Sequence, residues 1–162
     1  MFNSDPKAIY KNLTLVYWLL FLTMVSFLII ASLVVSNIGP MMGQDPLIHQ
    51  ILKLLVIGFT VVIIPLAHSV PQRMIKKIGP EATLSEKIGK YQQALIIRFA
   101  LTEGVAFFAI VAFLFTGDND LILILAIILL FFVISRPNNF KTSHDLGLTE
   151  LEKKQMFVET AT

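Results

Sequence analysis

Two ionisable residues, Arg98 and Glu103, stand in the run 94–115, which is otherwise built almost wholly from Ala, Leu, Ile, Val and Phe. A carboxylate at the centre of a membrane-spanning helix costs about 2.5–3.5 kcal/mol on insertion scales, so Glu103 must be protonated, paired or facing water. A carboxyl that protonates reversibly in such a place is the chemistry of proton or cation coupling; one locked by hydrogen bonds sets helix register or a subunit contact. Five residues of helix separate the two side chains by about 140° and about 7.5 Å of rise, so each must face a different neighbour. Aligning the apolar runs by depth puts Glu103 level with Thr23–Ser26 of the first run and Thr60 of the second. A polar cluster of Glu103, Thr60, Thr23 and Ser26 is the expectation. Arg98 falls level with Tyr17 and Trp18, where a cation–π contact contributes roughly 0.5–2 kcal/mol. It also comes near the Val61 carbonyl, which Pro65 leaves without a helix donor. At about 10 Å of helix rise from the surface, Arg98 is expected to snorkel, its stem among acyl chains and its head at the interface.

The other chemically capable residues read as anchors. Lys53, with His49 one turn away, suits an interfacial position at the outer end of the second run. His49, His68 and His144 fall on two sides of a membrane, which excludes a three-His metal site. The chain has no cysteine, hence no disulfide, thiolate nucleophile or Cys-based metal site. No phosphate-binding glycine loop, dinucleotide fingerprint, zinc-protease helix or nucleophile elbow occurs. The expectation is therefore no catalytic residue, no metal, no cofactor and no enzyme activity. Basic and aromatic residues do not interleave as nucleic-acid readers require. Arg73, Lys76 and Lys77 form a basic patch suited to anionic lipid, at about 1 kcal/mol per residue near a surface.

The elements that must hold these residues follow from hydropathy. The 162 residues are 56% hydrophobic and 15% charged, unlike a water-soluble domain. Apolar stretches at 13–35, 48–70, 92–115 and 121–135 carry the excess, and the first three are long enough to cross a core of about 30 Å. The fourth is short, but its interior has no polar residue, so it counts as a span; the alternative is a buried half-helix. The expected fold is all-α: a four-helix integral membrane bundle of two antiparallel hairpins. Its parts are a lead at 1–12, a membrane domain at 13–137 with helices near 13–36, 47–70, 91–116 and 119–136, and a tail at 138–162 with a short helix. No cleavable signal sequence is apparent, so the first span is expected to act as an anchor.

Charge sets the orientation. Lys7, Lys11, Arg73, Lys76, Lys77, Lys87, Lys90, Arg136, Lys141, Lys153 and Lys154 all fall on one side, and the opposite loops hold Asp45, Asp118 and Asp120 with no Lys or Arg. The positive-inside rule then places both termini and the central loop in the cytoplasm, as expected for a bacterial inner-membrane protein. Local signals agree. Asp5-Pro6 and Asp45-Pro46 read as helix starts, Pro71 as the end of the second span, and 80–90 as an amphipathic lead-in to the third. Gly117 with Asp118 or Asn119 reads as a tight turn, and Thr149-x-x-Glu152 as a capping box.

The octet 97–104 (Ile-Arg-Phe-Ala-Leu-Thr-Glu-Gly), the short turn, Arg136-Pro137 and the charged helical tail together resemble a group of small uncharacterised four-span bacterial inner-membrane proteins, a likeness that implies no activity. The segment 100–106 (Ala-Leu-Thr-Glu-Gly-Val-Ala), preceded by Gly79-Pro80-Glu81-Ala82, is similar to the carboxylate helix of the rotary ATP synthase proteolipid. That likeness covers about a quarter of the chain and implies an ion-carrying role for Glu103. The second run lacks the dense glycine repeat of proteolipids and carries Lys53 and Pro65 instead. Two functional expectations result: a non-enzymatic accessory, scaffold or assembly subunit acting through a membrane partner or as a homo-oligomer, and a small oligomeric proton- or cation-coupled transport component.

Overall fold

The computed structural model describes residues 5–42, 46–79 and 81–157. Among them the chain is helical throughout, without a strand, in six helices: α1 (Pro6–Ile38), α2 (Pro46–Lys76), α3 (Leu84–Thr116), α4 (Asn119–Ile134), α5 (Asn139–Leu146) and α6 (Glu150–Phe157). Three of them, α1, α2 and α3, are long and apolar enough to cross a membrane. α4, with 16 residues, reaches only about 24 Å, and a 71° bend joins it to α5.

The helix ends follow local chemistry. The Asp5 carboxylate accepts from the Lys7 N–H and Pro6 opens α1, so from Pro6 onward the expected lead is continuous with the first helix. α3 starts at a Thr83–Glu86 capping box, which makes the amphipathic lead-in continuous with the apolar run. Gly117 takes the left-handed conformation (φ 66°) that closes α3, and Asp118 caps α4. α2 departs from expectation: it runs through Pro71 to Lys76 instead of stopping there. Asp45, read as the start signal of that helix, lies outside the described residues.

α3 is the hub. α1, α2 and α4 all pack on it, and α3 and α4 form the expected hairpin. The backbones of α1 and α2 come close at few points if any, so in place of the expected hairpin between these two each packs mainly on α3. Small buried residues on α3 (Ala94, Ala106, Ala109 and Ala112) make room for partners on several sides. The aromatic centre lies where α1, α3 and α4 meet. Tyr17 stacks on Phe132 at 5.0 Å between ring centroids and meets Phe99 edge-on at 5.4 Å. The Tyr17 hydroxyl donates to the Phe132 carbonyl at 3.4 Å. Farther along, Phe27 of α1 stacks on Phe107, and Phe59 of α2 packs on Phe108.

The tail folds back under the bundle in two helices where one was expected. α5 is capped by the Asn138 side chain and ended by Gly147 at φ 57°, and its Thr142 is fully buried, donating to the Tyr91 hydroxyl at 3.4 Å. α6 begins at the expected Thr149–Glu152 box. Glu152 does double duty: it also takes the Lys87 ammonium of α3 at 2.8 Å. That hydrogen bond holds the Glu152 carboxyl below the usual glutamate range. A depressed carboxyl favours docking above its unfolded pKa and loses that contribution as pH falls through the lowered value. Glu152→Gln keeps the capping geometry but removes the ion pair. It is expected to raise hydrogen exchange of the 150–157 amides several-fold at neutral pH. The native chain should match that exchange only below the ordinary glutamate range, after correction for intrinsic rates.

Candidate functional site: the polar residues of α3

Arg98 does not snorkel; it is 3% exposed. Its Nε donates to the Ala67 carbonyl of α2 at 3.3 Å. Ala67 is the residue four positions before Pro71, so its carbonyl is the one that the missing Pro71 N–H leaves unserved. Arg98 therefore supplies from a neighbouring helix the donor that proline removes, which is how α2 continues through Pro71. The expected partner, the Val61 carbonyl released by Pro65, is the wrong one by more than a turn. Tyr17 and Trp18 are not cation–π partners of Arg98 either. Tyr17 is committed to the aromatic centre, and Trp18 carries Arg136, whose guanidinium carbon lies 5.1 Å from the ring centroid. Arg98 also faces the tail: Tyr91, Lys141 and Asp145 lie within its electrostatic reach. Burial holds the Lys141 ammonium below its ordinary range, repulsion from Arg98 adds to that, and Asp145 opposes both.

Glu103 stands apart from the expected cluster. Thr23 donates to the Leu19 carbonyl at 2.9 Å and Thr60 to the Val56 carbonyl at 2.7 Å, each within its own helix, while Ser26 is exposed. The contacts Arg98–Ala67 and Phe108–Phe59 set the α2/α3 register, and it brings Ile63 rather than Thr60 level with Glu103. Among the described residues the Glu103 carboxyl makes no hydrogen bond and no ion pair. It is half-buried, on the stripe of α3 that carries the exposed Ile96, Ala100, Gly104 and Phe107. A Cβ on Gly104 would meet nothing within 4 Å. Beside the stripe lies an apolar groove of about 310 Å³ bounded by Phe59, Ile63, Ala100, Leu101, Gly104, Val105 and Phe108. Arg98 and Glu103 thus face different neighbours, as their spacing implies.

Lys53 does more than anchor. Its ammonium pairs with Asp118 at 3.2 Å and with Asp120, tying α2 to the turn between α3 and α4. His49 lines a recess with Val35, Pro40, Pro46, Thr116, Gly117 and Asp118 at that end. The backbone bond to Asp120 and the Lys53 ammonium hold the Asp118 carboxyl low despite its partial burial. Arg73, Lys76 and Lys77 lie exposed at the opposite end, beside the tail helices. Among the described residues no group of three His, Cys, Asp or Glu is placed to hold a metal. Sequence reasoning missed the Arg98–Ala67 bond, yet counting four back from each proline flags both candidate carbonyls. It also missed Arg136 over Trp18, for which spacing offers no signal, since 118 residues separate them. Comparison with family profiles, curated proteins and solved structures finds no match to the chain.

Proposed function

We propose that this chain is a non-enzymatic accessory or assembly subunit of a bacterial cytoplasmic membrane, with α4 as a short fourth span and both ends in the cytoplasm. Its exposed α3 stripe receives a helix of a membrane partner, either another protein or a second copy. One observation carries this reading: Glu103 sits without a bond on an exposed face of the hub helix, flanked by Ala100 and Gly104. In lipid such a carboxyl is costly, and small residues beside it admit a close helix that brings a donor. The long apolar helices and the one-sided basic residues support the membrane setting.

The second reading, ion coupling by a proteolipid-like carboxylate, draws on the same unbonded Glu103. It is disfavoured by the groove beside Glu103, whose lining is apolar and offers an ion no polar path. A photo-crosslinking residue at Ala100, in native membranes, separates the two. Partner docking expects a discrete adduct that falls at least several-fold in Glu103→Gln. Absence of an adduct, together with carbodiimide modification of Glu103 that fades through a pKa near neutrality, would replace docking by ion coupling. An adduct that Glu103→Gln leaves unchanged would remove Glu103 from the contact.

A further inference from the structure

At the basic end of the bundle two concavities share the side chains of Tyr10 and Thr14 and form one continuous surface. The first is a shallow, open trough of about 630 Å³ along one face of α1, lined by Leu15, Trp18, Leu19 and Leu22. From Lys11 to Leu22 it covers about 16 Å of helix rise. That is close to one leaflet of a hydrocarbon core of about 30 Å. The second, of about 410 Å³, opens at the head of the trough and carries Arg136, Asn138 and Asn139.

The second recess carries one cation and two side-chain amides beside the Tyr10 and Thr14 hydroxyls. The Arg136 guanidinium has no ion pair or hydrogen bond among the described residues and is held over Trp18. The Asn138 side-chain oxygen is already used by the Lys141 N–H at 2.7 Å, and the Asn139 oxygen by the Tyr10 hydroxyl at 3.2 Å. Each asparagine keeps its N–H₂ group free to donate. A cation and two amide donors at the head of an apolar trough fit one class of ligand present wherever a bundle meets a membrane.

We propose that Arg136, Asn138 and Asn139, with Lys11 at the rim, bind the phosphate of an anionic glycerophospholipid whose acyl chain lies along Leu15, Trp18, Leu19 and Leu22. The site is separate from the α3 stripe and does not depend on what docks there. It is also separate from Arg73, Lys76 and Lys77, the basic patch that composition alone singles out.

Trp18 is the sole tryptophan of the chain, and it lines the trough, so it reports the occupant directly. The full chain is reconstituted in phosphatidylcholine vesicles containing brominated phosphatidylglycerol, or in the reverse mixture, and quenching of Trp18 is compared. The expected result is a preference for the anionic lipid of roughly five-fold for each basic residue engaged. Arg136→Gln and Lys11→Gln, the latter a change at an exposed rim residue, should each lower that preference roughly five-fold, and the double change should bring it close to unity. Arg73→Gln should leave it unchanged. Equal quenching by both lipids overturns the site. So does a loss in Arg73→Gln as large as that in Arg136→Gln, because the attraction would then be diffuse. Abolition of the preference by millimolar glycerol phosphate would assign the recess to a soluble phosphate instead of a lipid.

Discussion

Tyr17→Ala is expected to destabilise the bundle by about 2–4 kcal/mol, read from reversible unfolding in mixed micelles by circular dichroism. Aromatic truncations in water-soluble cores cost about 3–5 kcal/mol, of which part is transfer from water. In lipid that part largely drops out, since acyl chains are as apolar as the core, and the packing and cavity terms remain. Those terms are large here. Tyr17 is 1% exposed and touches Trp18, Phe21, Phe99 and Phe132, so its removal opens a void where α1, α3 and α4 meet. Tyr17→Phe isolates the hydroxyl. Its bond to the Phe132 carbonyl is long, so the loss should lie near the lower end of the roughly 0.5–1.5 kcal/mol typical of a single hydrogen bond. A Tyr17→Phe loss equal to that of Tyr17→Ala would mean that the hydroxyl, and not ring packing, holds this junction.

Arg98→Met is expected to cost about 1–3 kcal/mol in the same assay, the usual penalty for orphaning a buried polar atom, here the Ala67 carbonyl. The second substitution is the informative one. Pro71→Ala returns the backbone N–H that the helix lacks, so Ala67 again has a donor inside α2. Arg98→Met should therefore be milder on the Pro71→Ala background, by about 1 kcal/mol, within the range of coupling between residues that share a partner. Additive losses would show that Arg98 stabilises the bundle through something other than this carbonyl.

What the sequence makes legible is local. Asp5 before Pro6, Gly117 before Asp118 and Thr149 before Glu152 each resolve a helix end within four residues, and the structure has all three. Hydropathy likewise yields the long helices, because an apolar run needs no partner to be recognised. The failures share a cause: they depend on how distant segments line up. The polar cluster around Glu103 assumed a register between α2 and α3 that is off by about a turn, enough to put Ile63 where Thr60 was expected. Arg98 was given the wrong proline for the same reason. α5 escaped notice because its one buried residue, Thr142, is polar, and only Phe140 and Leu146 of its residues are apolar. The pairing of α1 with α2 was read from their adjacency in the chain, which the hub role of α3 overrides.

That hub role has a consequence for the order of events during synthesis. α1 and α2 leave the ribosome first, yet the mature contacts of each are made mainly with a helix that does not yet exist. Until residues beyond Glu103 have emerged, the nascent chain holds two apolar helices with almost nothing to say to each other, and the Ala67 carbonyl waits for Arg98. Assembly is therefore a late, nearly simultaneous event set by the arrival of α3, and the interval before it is when the two early helices are most open to a chaperone or to a foreign neighbour.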